Sequence, residues 1–390
     1  MDLVLTESER LFQEELVDWL SDHLVGEFKA FGGQGGPCDD FGWDLRLAWD
    51  RELASGGWLG LGWPEEYGGR PATLREEIIF HVELANARTP YLATINSVEL
   101  FGPALLMFGT EAQKQRFVPP MLRVEELWGQ GFSEPNAGSD LAALETKAAL
   151  DGDHWVINGQ KMWTSTATEA QWLWVLCRTQ SQRDGPRHRG LTMLLVPVDQ
   201  PGIEIRGIRT MVDSYDLCEV FFDDAVTTAD LVLGPVHDGW RVAMGALGVE
   251  RGTTLLPYQI RFEHELSDLI ERARAGGVLD NTVIRDEITR AWTELKVLRA
   301  NNERMLTALL GKGDPGPVSS INKVYAAHWH QRLGNLKLKV MGAAGTLTGP
   351  DYQLDNFQRS FLVSRSETIY GGSDQIQHSI IAERILGLPR

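Results

Sequence analysis

The sequence predicts an α+β protein in three parts, helical at both ends with a small antiparallel β domain between them. Two changes of texture carry that prediction. Apolar residues recur at helical spacing up to about residue 125 and again beyond Gly239-Trp240. Between them, residues 145–150, 154–158, 171–179, 191–198, 202–206 and 217–223 are alternating or β-branched. A chain of 390 residues also exceeds the usual size of one hydrophobic core, so two or three domains are expected, bounded at 1–125, 126–235 and 236–390.

At the N-terminus, Thr6 and Glu9 form a capping box ahead of Phe12, Leu16, Trp19, Leu20 and Leu24, which predicts an amphipathic helix over 7–28. Residues 32–37, Gly-Gly-Gln-Gly-Gly-Pro, are too rich in glycine for helix or strand and are expected to form a mobile loop. Helical patterns then run from Trp43 to Leu122, interrupted by the turn-rich segment 63–69 and restarted by the cap Thr110-x-x-Gln113. In the middle part, Asp151-Gly152 and Asn158-Gly159 are hairpin signals. Four long helical segments close the chain, 240–274, 281–311, 318–342 and 353–385, and predict a four-helix bundle.

Composition narrows the partners. Hydrophobic residues make up 43%, as in ordinary globular proteins, and 37 Lys and Arg stand against 54 Asp and Glu, a net charge of −17. That balance argues against a nucleic-acid or anionic-membrane partner. Apolar runs fall short of a membrane span and the first residues lack a signal-peptide pattern, so a cytoplasmic location is expected. Cys38, Cys177 and Cys218 form no Cys-x-x-Cys pair and are expected to be reduced and structural. His328 and His330, at i and i+2 on a helix, do not face one another, so no metal is expected there. Gly33-x-Gly35 and Gly60-x-Gly62 lack the third glycine of a dinucleotide fingerprint, and neither a Gly-x-Ser-x-Gly elbow nor a Walker loop occurs.

The informative stretch is Trp128–Leu141, Trp-Gly-Gln-Gly-Phe-Ser-Glu-Pro-Asn-Ala-Gly-Ser-Asp-Leu. It turns at Glu-Pro and again at Asn-Ala-Gly-Ser, directing backbone amides and the Ser133 and Ser139 hydroxyls toward one concave surface. A second stretch places Trp163 two residues before Ser165, after the expected Asn158-Gly159 hairpin turn. Together they predict stacking plus hydrogen bonds for a flat, polar ligand.

The first stretch resembles the first signature of the acyl-CoA dehydrogenases, and Asn-Gly-Gln-Lys-Met-Trp at 158–163 is similar to that family's next landmark. The likeness continues to the terminal Ile-Ile-Ala-Glu-Arg-Ile-Leu-Gly-Leu-Pro-Arg. It implies an N-terminal α-helical domain, a central antiparallel β-barrel and a C-terminal four-helix bundle. It also implies FAD as cofactor and α,β-dehydrogenation of an acyl-CoA or acyl-carrier-protein thioester. Carried over by motif, Phe132, Ser133, Trp163 and Ser165 meet the flavin ring, and Gly342, Gly345, Ser373 and Gln375 contact FAD. Ser139, Leu247, Arg251, Tyr370 and Gly371 border the substrate. The Arg183–Arg189 loop, with three arginines and His188, is then either a solvated loop or a contact for a coenzyme A phosphate. The resemblance further implies an electron-transferring flavoprotein as acceptor. A homodimer, a homotetramer or a heterotetramer with a related chain is implied as well.

Three departures from the family pattern matter. The segment Thr368–Gln377, Thr-Ile-Tyr-Gly-Gly-Ser-Asp-Gln-Ile-Gln, resembles a signature that usually reads Ile-Tyr-Glu-Gly-Thr, so Gly371 stands where the α-proton base is usual. Glu250 follows Ala246 and Leu247 by one turn and precedes Arg251, the position at which isovaleryl and long-chain members carry their base. The resemblance therefore implies a relocated base, Glu250 taking the α-proton while the β-hydrogen leaves as hydride to flavin N5. The usual Arg-x-x-Phe-Gly is missing, with Arg261-Phe262 the nearest substitute, and Gln-x-x-Gly-Gly-x-Gly has become Lys339-Val-Met-Gly342-Ala-Ala-Gly345. FAD is then held differently, or only at some subunit pairs. The variant motifs look like a bacterial branch that includes sterol side-chain dehydrogenases, so fatty-acid or sterol side-chain degradation is the expected setting. Two alternatives stand beside this: a flavin oxidase or monooxygenase on the same fold, and a non-catalytic partner subunit.

Overall fold

The computed structural model describes residues 5–181, 186–249, 255–312 and 318–389. Six helices open the chain: α1 (Glu7–His23), α2 (Gly26–Phe31), α3 (Trp43–Ser55), α4 (Leu74–Asn86), α5 (Gly102–Phe108) and α6 (Glu111–Leu122). The capping boxes at Thr6/Glu9 and Thr110/Gln113 form as the residues dictate, and a third starts α4 at Thr73/Glu76. The helix expected over 7–28 stops at His23, and Gly26 opens α2 with φ +56°.

Eight strands follow: β1 (Trp128–Gly131), β2 (Lys147–Asp151), β3 (His154–Ser165), β4 (Trp172–Arg178), β5 (Leu191–Pro197), β6 (Ile203–Gly207), β7 (Leu217–Thr228) and β8 (Val232–Leu233). They make one curled sheet in the order β6-β7-β3-β2-β4-β5-β8. Its hairpins are antiparallel, but β1 runs parallel to β4, and Lys147 of β2 meets Arg178 of β4 in a parallel bridge, so the sheet is mixed. Across the curl, the Thr227 hydroxyl of β7 donates to Leu195 O of β5 at 2.6 Å.

One expected turn is absent. Asp151-Gly152 does reverse the chain between β2 and β3, but Asn158-Gly159 lies inside β3 as a bulge against β7. Long-range pairing overrides the local turn signal. Asn158 is tied to β7 in both directions, donating to Asp224 Oδ1 at 2.8 Å and accepting from Asp224 N at 3.0 Å. A Cβ on Gly159 would lie 2.6 Å from the Thr146 hydroxyl oxygen, so only glycine permits this close approach.

Strand β4 is buried on both faces from Leu173 to Arg178 because the N-terminal helices cover one side and the curl of the sheet the other. One core joins Trp49, Phe101 and Phe117 of the helices to Trp128, Trp174 and Met193 of the sheet. Gln113 strengthens that junction by donating to Asp230 O at 2.9 Å and Val232 O at 3.0 Å.

The C-terminal part comprises α7 (Gly239–Val249), α8 (Leu255–Ala275), α9 (Thr282–Lys312), α10 (Val318–Met341), α11 (Asn356–Val363) and α12 (Asp374–Ile380). Phe262, Leu266, Leu295, Leu298, Trp329 and Leu333 form the core of the bundle. The segment 240–274 is described as two helices, α7 and α8, on either side of residues 250–254. The helix expected over 353–385 is broken: α11 ends at Val363, a single 3₁₀ turn spans 366–368, and Gly371 and Gly372 take φ of +63° and +89° before α12. Such left-handed backbone suits glycine and ends a helix. No described helix is long and apolar enough to cross a membrane.

Candidate functional site

The two sequence motifs meet. Glu134 and Ala137 exchange backbone hydrogen bonds of 3.0 and 3.1 Å around Pro135-Asn136, closing the turn read from Glu-Pro. Met162 N then donates to Ser133 O at 2.9 Å, so β3 lies directly along the segment after β1. This bond sets Phe132 and Ser133 beside Trp163 and Ser165.

Beneath the contact lies a buried ion pair that motif reading passed over. Lys161 Nζ donates to Phe132 O at 3.0 Å and to Glu134 Oε1 at 2.8 Å. The Glu134 carboxylate also accepts from Glu145 N at 2.7 Å and Thr146 N at 2.8 Å. Burial raises the Glu134 pKa, but Lys161 and these donors outweigh it and hold the carboxyl below its ordinary value. Burial lowers the Lys161 pKa, with Glu134 opposing. A charge-assisted network of this kind fixes backbone positions with little slack.

Trp163 sits at φ +63° where β3 bulges away from β7 between Lys161 and Thr164, and its side chain is 50% exposed. A large ring standing out from a rigid edge, with half-buried Ser133 and Ser165 beside it, fits a planar heteroaromatic ring such as isoalloxazine. Thr164, next to it, buries a hydroxyl with no hydrogen-bond partner among the described residues. Ser139 is exposed on the far side of the turn. Its neighbour Asp140 pairs with Arg187 at 3.2 Å, and Arg178 holds that loop by donating to Ala142 O and Arg187 O, each at 2.9 Å.

The remaining predicted residues are placed less tightly. Among the described residues, no hydrogen bond joins Gly342, Gly345, Ser373 or Gln375 to the 132–165 cradle. Gly342 and Gln375 are exposed, and the Ser373 hydroxyl caps α12. Leu247 belongs to α7, whereas Glu250 and Arg251 lie outside the described residues. Tyr370 is partly buried, and burial, with the negative charge of Glu367 adding to it, pushes its pKa well above the ordinary value. Gly371 is exposed, and its carbonyl accepts from Gln377 Nε2 at 3.0 Å. His328 and His330 diverge as their spacing implies, His328 to Asp374 at 2.6 Å and His330 to Glu367 at 2.6 Å.

A cavity of about 440 Å³ opens between the glycine-rich loop 32–37, α8, α10 and α11. Its residues come from distant parts of the chain, and no local pattern marked them. Tyr91 and Tyr258 share a hydroxyl–hydroxyl bond of 2.9 Å at the cavity wall. His330 also meets Glu265 at 3.0 Å, and Lys337 joins Glu265 and the Ser360 hydroxyl. Burial opposes the charged form of His330, yet Glu265 and Glu367 raise its pKa to about 10. Arg261, the nearest substitute for the missing arginine motif, lines this cavity, and Phe262 is buried in the bundle core against Trp329.

Known proteins share this three-part architecture. Profiles of the acyl-CoA dehydrogenase N-terminal, middle and C-terminal domains match residues 6–125, 129–225 and 237–386. The chain is 48% identical over 382 residues to the acyl-CoA dehydrogenase IpdE1 of Mycobacterium tuberculosis, covering 97% of each. Among solved structures it is similar to the Tcur3481-Tcur3483 steroid ACAD, with TM-score 0.86 and 28% identity over 100% of both chains. The ChsE4-ChsE5 complex from Mycobacterium tuberculosis matches with TM-score 0.83 and 28% identity, again over 100% of both.

Proposed function

Because the chain belongs to the acyl-CoA dehydrogenase family of FAD-dependent enzymes, we propose that it dehydrogenates its acyl-CoA thioester with Glu250 as the α-proton base and the 132–165 cradle as the flavin seat. The observation that carries the flavin seat is the Met162 N to Ser133 O bond, which brings both motifs to one edge. Bound FAD supplies the hydride acceptor. The chain's part is to hold the ring between Phe132, Ser133, Trp163 and Ser165, and to remove one proton.

That proton needs a carboxylate, and Gly371 has none. In the sequence Glu250 comes four residues after the buried Ala246, just past the last described residue of α7. As the α-proton leaves, negative charge grows on the thioester oxygen and requires donors. The amide of Gly371 suits that role, since it makes no hydrogen bond among the described residues and does not depend on a side chain. Tyr370 then borders the acyl group. Ser139 is proposed to flank the pantetheine, with Arg187 and His188 within reach of a coenzyme A phosphate.

The partner proposal follows from Gly342, Gly345, Ser373 and Gln375, which the chain's own hydrogen bonds leave apart from the cradle. We infer that they meet FAD across a subunit boundary. The two solved relatives, the Tcur3481-Tcur3483 steroid ACAD and the ChsE4-ChsE5 complex, are each named for two gene products, which favours a heteromer with a related chain. An electron-transferring flavoprotein is the proposed acceptor. Turnover of a steroid-derived acyl thioester is likewise inferred from the name of one relative. In Glu250→Gln, flavin reduction by substrate should slow by about 10²–10⁴-fold while FAD stays bound. Reduction at the parent rate in stopped-flow absorbance would remove Glu250 from the role.

A further inference from the structure

The cavity of about 440 Å³ has mainly apolar walls that carry a cluster of charged groups, and it is too large to be a packing defect. Its walls carry five cations, Arg88, Arg261, His330, Lys337 and Arg359, against four anions, Asp39, Glu265, Asp268 and Glu367. Most of them are matched. Arg88 takes both oxygens of Asp268 at 2.8 and 3.1 Å, Arg359 reaches Asp39 at 2.6 Å, and His330 and Lys337 are held by Glu265 and Glu367. Arg261 is the exception among the described residues. It has no ion pair, one long bond of 3.4 Å to Gly33 O, and its guanidinium stands 5.0 Å over the Tyr91 ring. In a chain of net charge −17, one cavity with a cation in excess is a local reversal of sign.

An arginine has five donors in a fixed fork, and leaving most of them unused in a partly enclosed, largely apolar cavity is costly unless water or a ligand supplies acceptors. The Tyr91–Tyr258 pair adds hydroxyls beside it. Glu367 of the cavity wall precedes Tyr370 by three residues, and Tyr258 and Tyr91 both act electrostatically on the Tyr370 phenol, which sets the cavity in the neighbourhood of the proposed reacting end.

We propose that this cavity receives the far end of the acyl group and selects thioesters bearing an acceptor oxygen there, a ketone or a carboxylate, through Arg261 assisted by Tyr258 and Tyr91. The inference rests on the dehydrogenase reading, in which Tyr370 borders the acyl group. It makes Arg261 a specificity-determining residue. An alkyl chain of equal length strands the guanidinium without its acceptor, and a site built to bond a polar group discriminates strongly against analogues that lack it.

The test uses the purified full-length protein with its flavin and any chain that co-purifies. Coenzyme A thioethers, which lack an acidic α-proton and so report binding without turnover, are made with hexyl to decyl chains ending in methyl, methyl ketone or carboxylate. Calorimetry should show an oxygen-ended series binding about tenfold or more tighter than the methyl-ended series, and the ketone and carboxylate arms identify which oxygen is favoured. Arg261→Met should bring that ratio toward one. Arg261→Lys, which keeps the charge and fold but loses the fork, should lower it partway, as should Tyr258→Phe. Equal binding of all three series, or an unchanged ratio in both Arg261 variants, overturns the proposal. Failure of every acyl-CoA thioester to bleach the flavin would instead defeat the dehydrogenase reading, and the thioether ratio would still decide the cavity.

Discussion

Two regions of this molecule bury cationic side chains, and they differ in what surrounds them. Under the cradle, Lys161 and Glu134 match one to one, both carboxylate oxygens are occupied by donors, and the side chains are packed. Around the cavity, cations outnumber anions, Arg261 is underused, and about 440 Å³ of space remains. A buried charge is therefore no sign of ligand binding by itself. Space together with an unmatched charge is, whereas a closed pair serves to hold backbone in place.

The largest effect that separates the regions is expected at Lys161. Lys161→Met leaves Glu134 charged and buried, which should destabilise the protein by about 3–5 kcal/mol and release the flavin. Adding Glu134→Leu removes the stranded charge and should restore much of the denaturant midpoint. A single variant as stable as the parent would erase the contrast. An intermediate effect is expected from His330 on the cavity side. Its folded pKa of about 10 lies above the ordinary 6.5, so its stabilisation is complete below pH 6.5 and fades as pH rises toward 10. Denaturant midpoints should fall across that window, and fall less in His330→Asn. A flat parent profile would mean that Glu265 and Glu367 do not hold the ring charged.

The smallest effect on stability should come from Trp163→Ala. Its ring is half exposed, so the fold should lose less than roughly 1 kcal/mol, unlike the larger loss expected for a fully buried aromatic. Flavin retention should nevertheless drop, visible as lost yellow colour after gel filtration. Full retention would remove the ring from the cradle.

What could be read in the sequence was local. The capping boxes, the Glu134–Ala137 turn and the helix–sheet–helix order all depend on neighbours within a few residues, and all formed. Asn158-Gly159 was misread because a hairpin signal is also what a bulge requires, and only the distant β7 decides between them. The break after Val363 was missed because apolar spacing continues through it, although Gly371-Gly372 stood in plain view as a stop. In the sequence Lys161 is one letter of a motif, and its depth is invisible without the fold. The cavity was beyond reach, since Tyr91, Tyr258 and His330 meet only when loop, helix and bundle close on one another.

The pairing of β3 with β7 has one last consequence. From Ile157–Ala225 to Gly159–Phe222, β7 spends one residue more than β3. From Lys161–Val220 to Thr164–Cys218, β3 spends one more than β7. The two miscounts cancel, so Ser165 and Leu217 meet in the same phase as Trp155 and Thr227. Trp163 belongs to the compensating miscount, a surplus residue with no partner to satisfy and hence free to turn outward. Deleting one residue at 162 or 163 would smooth the second bulge and leave the first uncompensated. Thr164 and Ser165 would still stand opposite Cys218 and Leu217, so the strand would keep its faces and lose only the surplus position that lets a residue turn outward.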